Sequence, residues 1–156
     1  MLDPNQVSGS VTVKIRRLSS DGIPLPSYAT PGSAGVDLCA DLQEPLILGP
    51  GERVKIPTGL AIELPSRNMA ALVFARSGLA NRFGIGLTNG VGVIDSDYRG
   101  EIQVLMQNLG VQPVIVKPGE RIAQMLFMPV YHAIFEETEE LQDTSRGTGG
   151  FGSTGV

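Results

Sequence analysis

Glu101-Ile-Gln-Val-Leu-Met-Gln-Asn108 is the stretch that decides the fold class. Ile102, Val104 and Met106 fall on every second position, the period of a strand with one face on a core. Working outward, Ala70–Ala75 is a short apolar run of buried-strand type, and Leu60–Leu64 and Val11–Ile15 alternate. Downstream, Val114–Val116, Arg121–Met128 and His132–Phe135 complete a set of short strands. Gly49-Pro50-Gly51, Asn89-Gly90 and Lys117-Pro118-Gly119 supply turns between them. One short helix is expected near Ser77–Arg82, with Ser77 as its cap. With no long amphipathic helix, a parallel βαβ fold is excluded in favour of an all-β sandwich, jelly roll or barrel.

The chain has 156 residues, the size of one domain of roughly 100–200 residues. One Cys (Cys39) excludes an internal disulfide and a cysteine-rich zinc site. One His (His132) excludes a two-histidine metal site within one chain. Cys39 reads as a small core residue, and His132, on an apolar segment, as a core or interface histidine. No stretch is apolar enough to span a bilayer, and the first ten residues carry no secretory signal pattern. The expectation is a soluble cytoplasmic protein that binds no membrane.

Net charge is −4, and residues 136–156 account for it with five acids and one base, Arg146. The remaining body is neutral, so no basic surface for nucleic acid is expected. Five glycines stand among the last ten residues. The chain therefore divides into a body, 1–135, and an acidic then glycine-rich arm, 136–156, expected to be mobile in isolation.

Gly147-Thr-Gly-Gly-Phe-Gly152 matches a dinucleotide-binding pattern, but no strand precedes it and no helix can follow it. A slack terminus is the plain reading. Yet Arg146 and Phe151 supply a guanidinium and a ring among free backbone amides, a set that could close over a phosphorylated aromatic ligand. Ile94-Asp-Ser-Asp-Tyr-Arg-Gly100 places two carboxylates between strand-like segments. A polar turn with Asp95 or Asp97 bonded to local backbone competes with a general base or a metal contact. Ala75-Arg-Ser-Gly-Leu79 offers a plain helix cap or a phosphate cradle. Asp37, in Ala34-Gly-Val-Asp-Leu38, reads as a satisfied turn carboxylate. Gln124, in Gly119-Glu-Arg-Ile-Ala-Gln-Met125, needs partners for its amide, whether structural or from a substrate.

Taken in order, Ala34–Leu38, Ala75–Ala80, Asn89–Glu101, Gly119–Met125 and Arg146–Gly155 resemble the five motifs of the trimeric dUTPases. The likeness runs from about residue 11 to the C-terminus. It implies a distorted β jelly roll (a β-clip sandwich) assembled as a homotrimer, with sites at the subunit interfaces. One subunit would give the first, second and fourth motifs, a second the third motif, and the third subunit the arm. The reaction would be Mg²⁺-assisted hydrolysis of dUTP to dUMP and pyrophosphate, keeping uracil out of DNA and supplying dUMP for thymidylate synthesis.

The resemblance also implies roles. Asp95 would activate the attacking water and contact the sugar 3′-OH. Asn89, the backbone around Val93, Ile94 and Asp95, and Gln103 would read uracil. Tyr98 would pack under the deoxyribose and exclude a ribose. Arg76, Ser77, Gly78 and Gln124 would hold phosphates. Asp37 would act through water on Mg²⁺, or on Arg76. Arg146 would take the γ-phosphate, Phe151 would stack on uracil, and Gly152, Ser153 and Thr154 would donate to the outer phosphates. A dCTP deaminase is the nearest alternative, but that family needs a catalytic Glu and a different third motif. A nucleotide-binding regulator without turnover and a structural jelly-roll protein are the alternatives outside enzymology.

Overall fold

The computed structural model describes residues 9–19 and 22–151. The alternating stretch forms β9 (Gln103–Asn108), with Val104, Met106 and Asn108 turned inward and buried. It is the middle strand of a three-stranded sheet, between β4 (Arg53–Pro57) and β7 (Ile85–Leu87). A four-stranded sheet has the order β2 (Val36–Cys39), β11 (Arg121–Pro129), β6 (Met69–Ala75) and β8 (Gly92–Ile94). Two strand pairs complete the set: β1 (Lys14–Arg17) with β5 (Leu60–Glu63), and β3 (Leu46–Leu48) with β10 (Val114–Val116). Every pairing is antiparallel. The chain is thus mostly β, and apolar residues from the sheets, among them Leu38, Leu48, Ile56, Leu60, Met106, Ile122 and Met125, meet in one core.

Several expectations shift. The first strand begins at Lys14 rather than Val11, because its ladder to β5 runs only from Lys14↔Glu63 to Arg17↔Leu60. Leu60, Ala61 and Ile62 are all buried, so β5 does not follow the alternation its sequence suggests. His132–Phe135 forms no strand. Past Pro129, which faces Met69 at the start of β6, no described partner strand continues the ladder. Ile134 and Phe135 are consequently almost fully exposed. His132 is also exposed, and its Nε2 lies 2.8 Å from the Arg67 carbonyl, so it is not a core histidine. Cys39 is buried, as expected of a small core residue.

The one helix among the described residues, α1 (Ser77–Phe83), sits where it was expected, but Ser77 does not cap it. Arg76 occupies the N-cap position with extended backbone and makes no capping bond. Its side chain is directed elsewhere. Gly84 ends the helix in the left-handed conformation, φ 69°, and its amide reaches Ala80 and Leu79 carbonyls. A Cβ there would stand 2.7 Å from the Gly110 amide nitrogen, so the residue must be glycine for space as well as for φ. Among the described residues no helix is long and apolar enough to cross a membrane.

Asn108 ties these parts together. It is fully buried, and its Nδ2 donates to the carbonyls of Leu48 (2.9 Å) and Gln112 (2.8 Å). Its Oδ1 accepts from the Gly110 amide at 2.9 Å. One side chain thus satisfies β3, the β9–β10 turn and the neighbourhood of the α1 terminus. Asn108→Ala would take a hydrogen-bond partner from three buried or half-buried backbone groups. The expected loss is about 3 kcal/mol in urea unfolding, since each such group costs about 1–3 kcal/mol. A loss below about 1 kcal/mol would show that the turn re-forms without it.

Candidate functional site

The β2–β11–β6 pairing decides what stands side by side. Gln124 lies opposite Asp37 on one flank and Phe74 on the other, and Ala123 lies opposite Ala75. Directly paired residues share a face, so Asp37 and Gln124 point the same way, and Arg76 follows at the end of β6. Arg76 Nε donates to Asp37 Oδ1 at 2.9 Å, and Arg121 Nη1 donates to Asp37 Oδ2 at 3.0 Å. Arg76 Nη1 also donates to the Arg121 carbonyl at 3.3 Å. Gln124 Nε2 donates to the Ala75 carbonyl at 3.0 Å, which leaves its second N–H unused by that bond.

These groups line a cavity of about 710 Å³, together with Ser77, Gly78, Gly35 and Gly90. Two guanidiniums share one carboxylate, so the cavity carries a net positive charge. Both Asp37 and Arg76 are about one-quarter exposed, at 23% and 26% of their side-chain surface. That shields the pair from solvent screening more than a surface pair. The first-turn amides of α1 precede its first backbone bond, Ala80 N–H to Arg76 carbonyl. No atom stands within 4 Å of where a Gly78 Cβ would be. Arginine forks, a serine hydroxyl, an amide and an open glycine make a seat for phosphate oxygens. Burial pushes the neighbouring Cys39 thiol up from its ordinary range, and the Asp37 charge adds to that; Arg121 and Arg76 oppose it.

A second cavity, of about 270 Å³, shares no lining residue with the first. Asn89, Gly92, Val93, Ile94, Asp95, Tyr98 and Gln103 line it, with Lys55, Glu101 and Leu105. Strand β8 carries Val93 and Ile94 along β6, and the turn that follows is closed by Tyr98 N–H donating to the Asp95 carbonyl at 3.2 Å. The Tyr98 ring folds over Gly100, where a Cβ would fall 2.4 Å from the phenol oxygen. Tyr98 Oη donates to the Glu101 carbonyl at 2.9 Å. Neither Asp95 nor Asp97 bonds through its side chain to any described residue, so the turn is not held by its carboxylates. Asp95 therefore presents an uncommitted carboxylate to a pocket with an aromatic wall.

A family model described as dUTPase matches residues 21–155. The chain belongs to the dUTPase family. A deoxyuridine 5'-triphosphate nucleotidohydrolase of Desulfitobacterium hafniense (strain DSM 10664 / DCB-2) is 60% identical over 148 residues, covering 94% of this chain and 98% of that one. Among solved structures, the dUTPase of Staphylococcus bacteriophage 80alpha with dUPNHPP superposes with a TM-score of 0.80 at 25% identity, covering 93% of this chain and 99% of that one. A dUTPase mutant from phage phi11 of S. aureus, described with a structural Mg(II) ion, superposes with a TM-score of 0.75 at 20% identity, covering 85% and 99%.

The family's motifs thus sort by place. Asp37, Arg76, Ser77, Gly78 and Gln124 come together in the larger cavity, and Asn89, Val93, Ile94, Asp95, Tyr98 and Gln103 in the smaller. Arg146 and Phe151 line neither. Both are exposed, beside turns closed by Gly147 N–H to Thr144 carbonyl and Gly149 N–H to Arg146 carbonyl. Gly152, Ser153 and Thr154 lie outside the described residues. Among the described residues no cluster of three His, Cys, Asp or Glu could hold a metal. Among the described residues Asp37 is the one carboxylate on the larger cavity, and each of its oxygens already accepts from a guanidinium. That donor set suits a magnesium ion brought in on phosphate oxygens with its waters, one of which a remaining Asp37 lone pair can hold.

Two residues escaped the sequence reading. Arg121 stands within the fourth motif but only three positions from Gln124, an odd spacing that on a regular strand puts it on the opposite face. Glu101 accepts from the Gly59 amide at 2.8 Å and from Gln103 Nε2 at 3.2 Å, a contact between distant segments that local pattern cannot reveal. The fit of Tyr98 on Gly100 is directly testable. Gly100→Ala should push the ring off its seat and break the bond to the Glu101 carbonyl. The expected result is a changed near-UV tyrosine spectrum and a loss of about 1–2 kcal/mol in urea. An unchanged spectrum would mean that the ring is not seated there.

Proposed function

We propose that this chain hydrolyses dUTP to dUMP and pyrophosphate at a site completed by three copies, within a distorted jelly-roll body (1–135) and a closing arm (136–156). The observation that carries this reading is the sorting of the motif residues: phosphate-binding chemistry in one cavity, nucleoside-binding chemistry in another, and the arm in neither. A substrate with a base, a sugar and three phosphates needs all of them at once. A homotrimer in which the smaller cavity of one copy meets the larger cavity of the next supplies them, and the arm of the third copy closes over both.

Within that site the division of labour follows from the groups present. Arg76, Ser77, Gly78 and Gln124 would hold the phosphate chain, with Arg146 on the γ-phosphate and Gly152, Ser153 and Thr154 on the outer oxygens. Uracil would lie between the β8 backbone, Asn89 and Gln103, with Phe151 stacked on it. Tyr98, fixed by the Glu101 carbonyl, would form the floor under the deoxyribose and leave no space for a 2′-OH. Asp95 would orient a water in line with the scissile phosphorus, accept its proton and contact the 3′-OH. Phosphoryl chemistry asks mainly for such positioning and charge neutralisation. Bound Mg²⁺ would add positive charge on the phosphate oxygens, and Asp37 would hold one of its waters.

Pyrophosphate release should proceed with dUTP and fall sharply with dCTP, UTP and dTTP. Asp95→Asn should keep dUTP binding and lower turnover by about 10²–10⁴-fold, the usual size of a lost general base. A near-normal rate would remove Asp95 from that role. The shared site has its own test. Arg76→Ala and Asp95→Asn subunits, each inactive alone, should regain activity when refolded together, in about a quarter of the sites if mixing in the trimer is random. No regain would mean that one copy supplies both groups. Removal of residues 146–156 should leave assembly intact and cripple hydrolysis, and full activity after truncation would rule out a closing arm.

A further inference from the structure

We infer that Arg121 is a positioning residue for the phosphate seat, delivered to it by a β-bulge. The inference rests on the dUTP-hydrolysis reading above. In β11 the pairing with β2 runs Gln124↔Asp37 and Ala123↔Leu38, and then slips, so that Arg121 rather than Ile122 faces Cys39. Without the slip Arg121 would lie on the face opposite to Gln124, since strand faces alternate at every residue. With it, Arg121 shares a face with Asp37, two residues before Cys39 on β2. The extra residue, Ile122, is 1% exposed and fills the core, so the bulge costs no packing. The Arg121 side chain itself is 56% exposed.

Arg121 then holds Arg76 in two ways. Its guanidinium grips the far oxygen of Asp37 at 3.0 Å, while Arg76 Nε grips the near one at 2.9 Å. Its own carbonyl accepts Arg76 Nη1 at 3.3 Å. Asp37, pulled from both sides, cannot swing out, and Arg76 Nε and Nη1 are committed. The Arg76 donors left over, chiefly Nη2, are the ones presented to the cavity. As a stabilising device a second guanidinium on a carboxylate already paired is a poor choice, because an exposed pair is worth little. As an orienting device it is effective, since a small misplacement of a phosphate ligand is expensive in rate. Gln124 stands beside this arrangement, with its amide fixed on the Ala75 carbonyl next to Arg76.

Acting through Asp37 is distinguishable from touching phosphate directly. The experiment is a pyrophosphate-release assay on the wild-type chain, Arg121→Ala, Asp37→Asn and the double variant. Arg121→Ala should lower kcat/KM for dUTP on the order of tenfold, mostly through KM. In the Asp37→Asn background, removing Arg121 should cost little more, because the carboxylate shared by the two guanidiniums is already gone. The urea midpoint of Arg121→Ala should stay near that of the wild type, which a merely structural pair would lower in step with activity. Should Arg121→Ala fold poorly, Arg121→Gln keeps a donor without the charge and should show the same coupling at smaller size. Unchanged kcat/KM in both Arg121 variants, or losses that multiply fully in the double variant, would overturn the positioning role. Wild-type chain without dUTP turnover would instead sink the functional reading on which it rests.

Discussion

Everything at the cavity of Asp37, Arg76 and Gln124 depends on strand β11 being held between β2 and β6 in one register. The ladder to β6 runs without interruption from Ala123↔Ala75 to Pro129↔Met69. That length of pairing leaves no freedom to slide, and a slip of one residue would turn Gln124 into the core and Met125 out of it. With the register fixed on the β6 side, any adjustment has to fall on the β2 side. The bulge between Arg121 and Ala123 is that adjustment. The strand is thereby regular along β6 and irregular only where it brings Arg121 to the cavity beside Gln124, a common placement for bulges.

The second cavity depends on a different restraint, the junction between sheets. Strand β8 belongs to the four-stranded sheet and β9 to the three-stranded one, so the turn carrying Asp95 and Tyr98 bridges them. The bridge is anchored from below. Buried Thr58 donates to the Ile102 carbonyl at 2.6 Å, and the Ile102 amide donates to Leu60 at 2.8 Å. Gly59, at φ 65°, has no room for a Cβ against Asp41, and its amide is fixed on Glu101. The turn is therefore rigid at its β9 end, where Tyr98 is seated. Near its middle, Asp95 stays free of internal bonds. The general-base role proposed for Asp95 asks for a carboxylate held in place without being neutralised, and this division would meet both demands.

How much of this was legible in the sequence follows from the range of each interaction. Alternation marked β9 and the apolar runs marked β6, β10 and β11, because a strand's own residues carry its period. The strands β2, β3, β4, β7 and β8 were not separately read, being three to five residues long and set by their partners. His132–Phe135 has strand composition and lacks a described partner, so propensity without pairing misled. Ser77 has the composition of a cap, but Arg76 holds that position and is committed to Asp37, 39 residues earlier in the chain. The candidate site residues were legible by resemblance, and each described one outside the arm lies on one of the two cavities. Their separation into two cavities was implied by the family and could not be read from residue spacing. The role of Arg121 was hidden because a bulge changes the parity on which face assignments rely.

The separation of the cavities also gives sense to surface that is otherwise unfavourable. Val93, on the wall of the smaller cavity, is 64% exposed, and Phe151 and Ile134 are almost wholly so. Exposed apolar groups of this size normally mark contact with something else. For Val93 and Phe151 the proposed occupants are the substrate and neighbouring copies, which would cover both when the site forms. A chain with one histidine and no metal cluster among its described residues has few chemical groups with which to accelerate a reaction. It can still do so by arranging guanidiniums, amides and one free carboxylate around a polyanion, since electrostatic preorganisation supplies much of the effect in phosphoryl transfer. The proposed division of those groups among copies would have a physical consequence. Arg76 and Asp95 line different cavities in the lone chain, so in the proposed trimer the guanidinium and the carboxylate would stay apart until substrate and neighbouring copies brought them together.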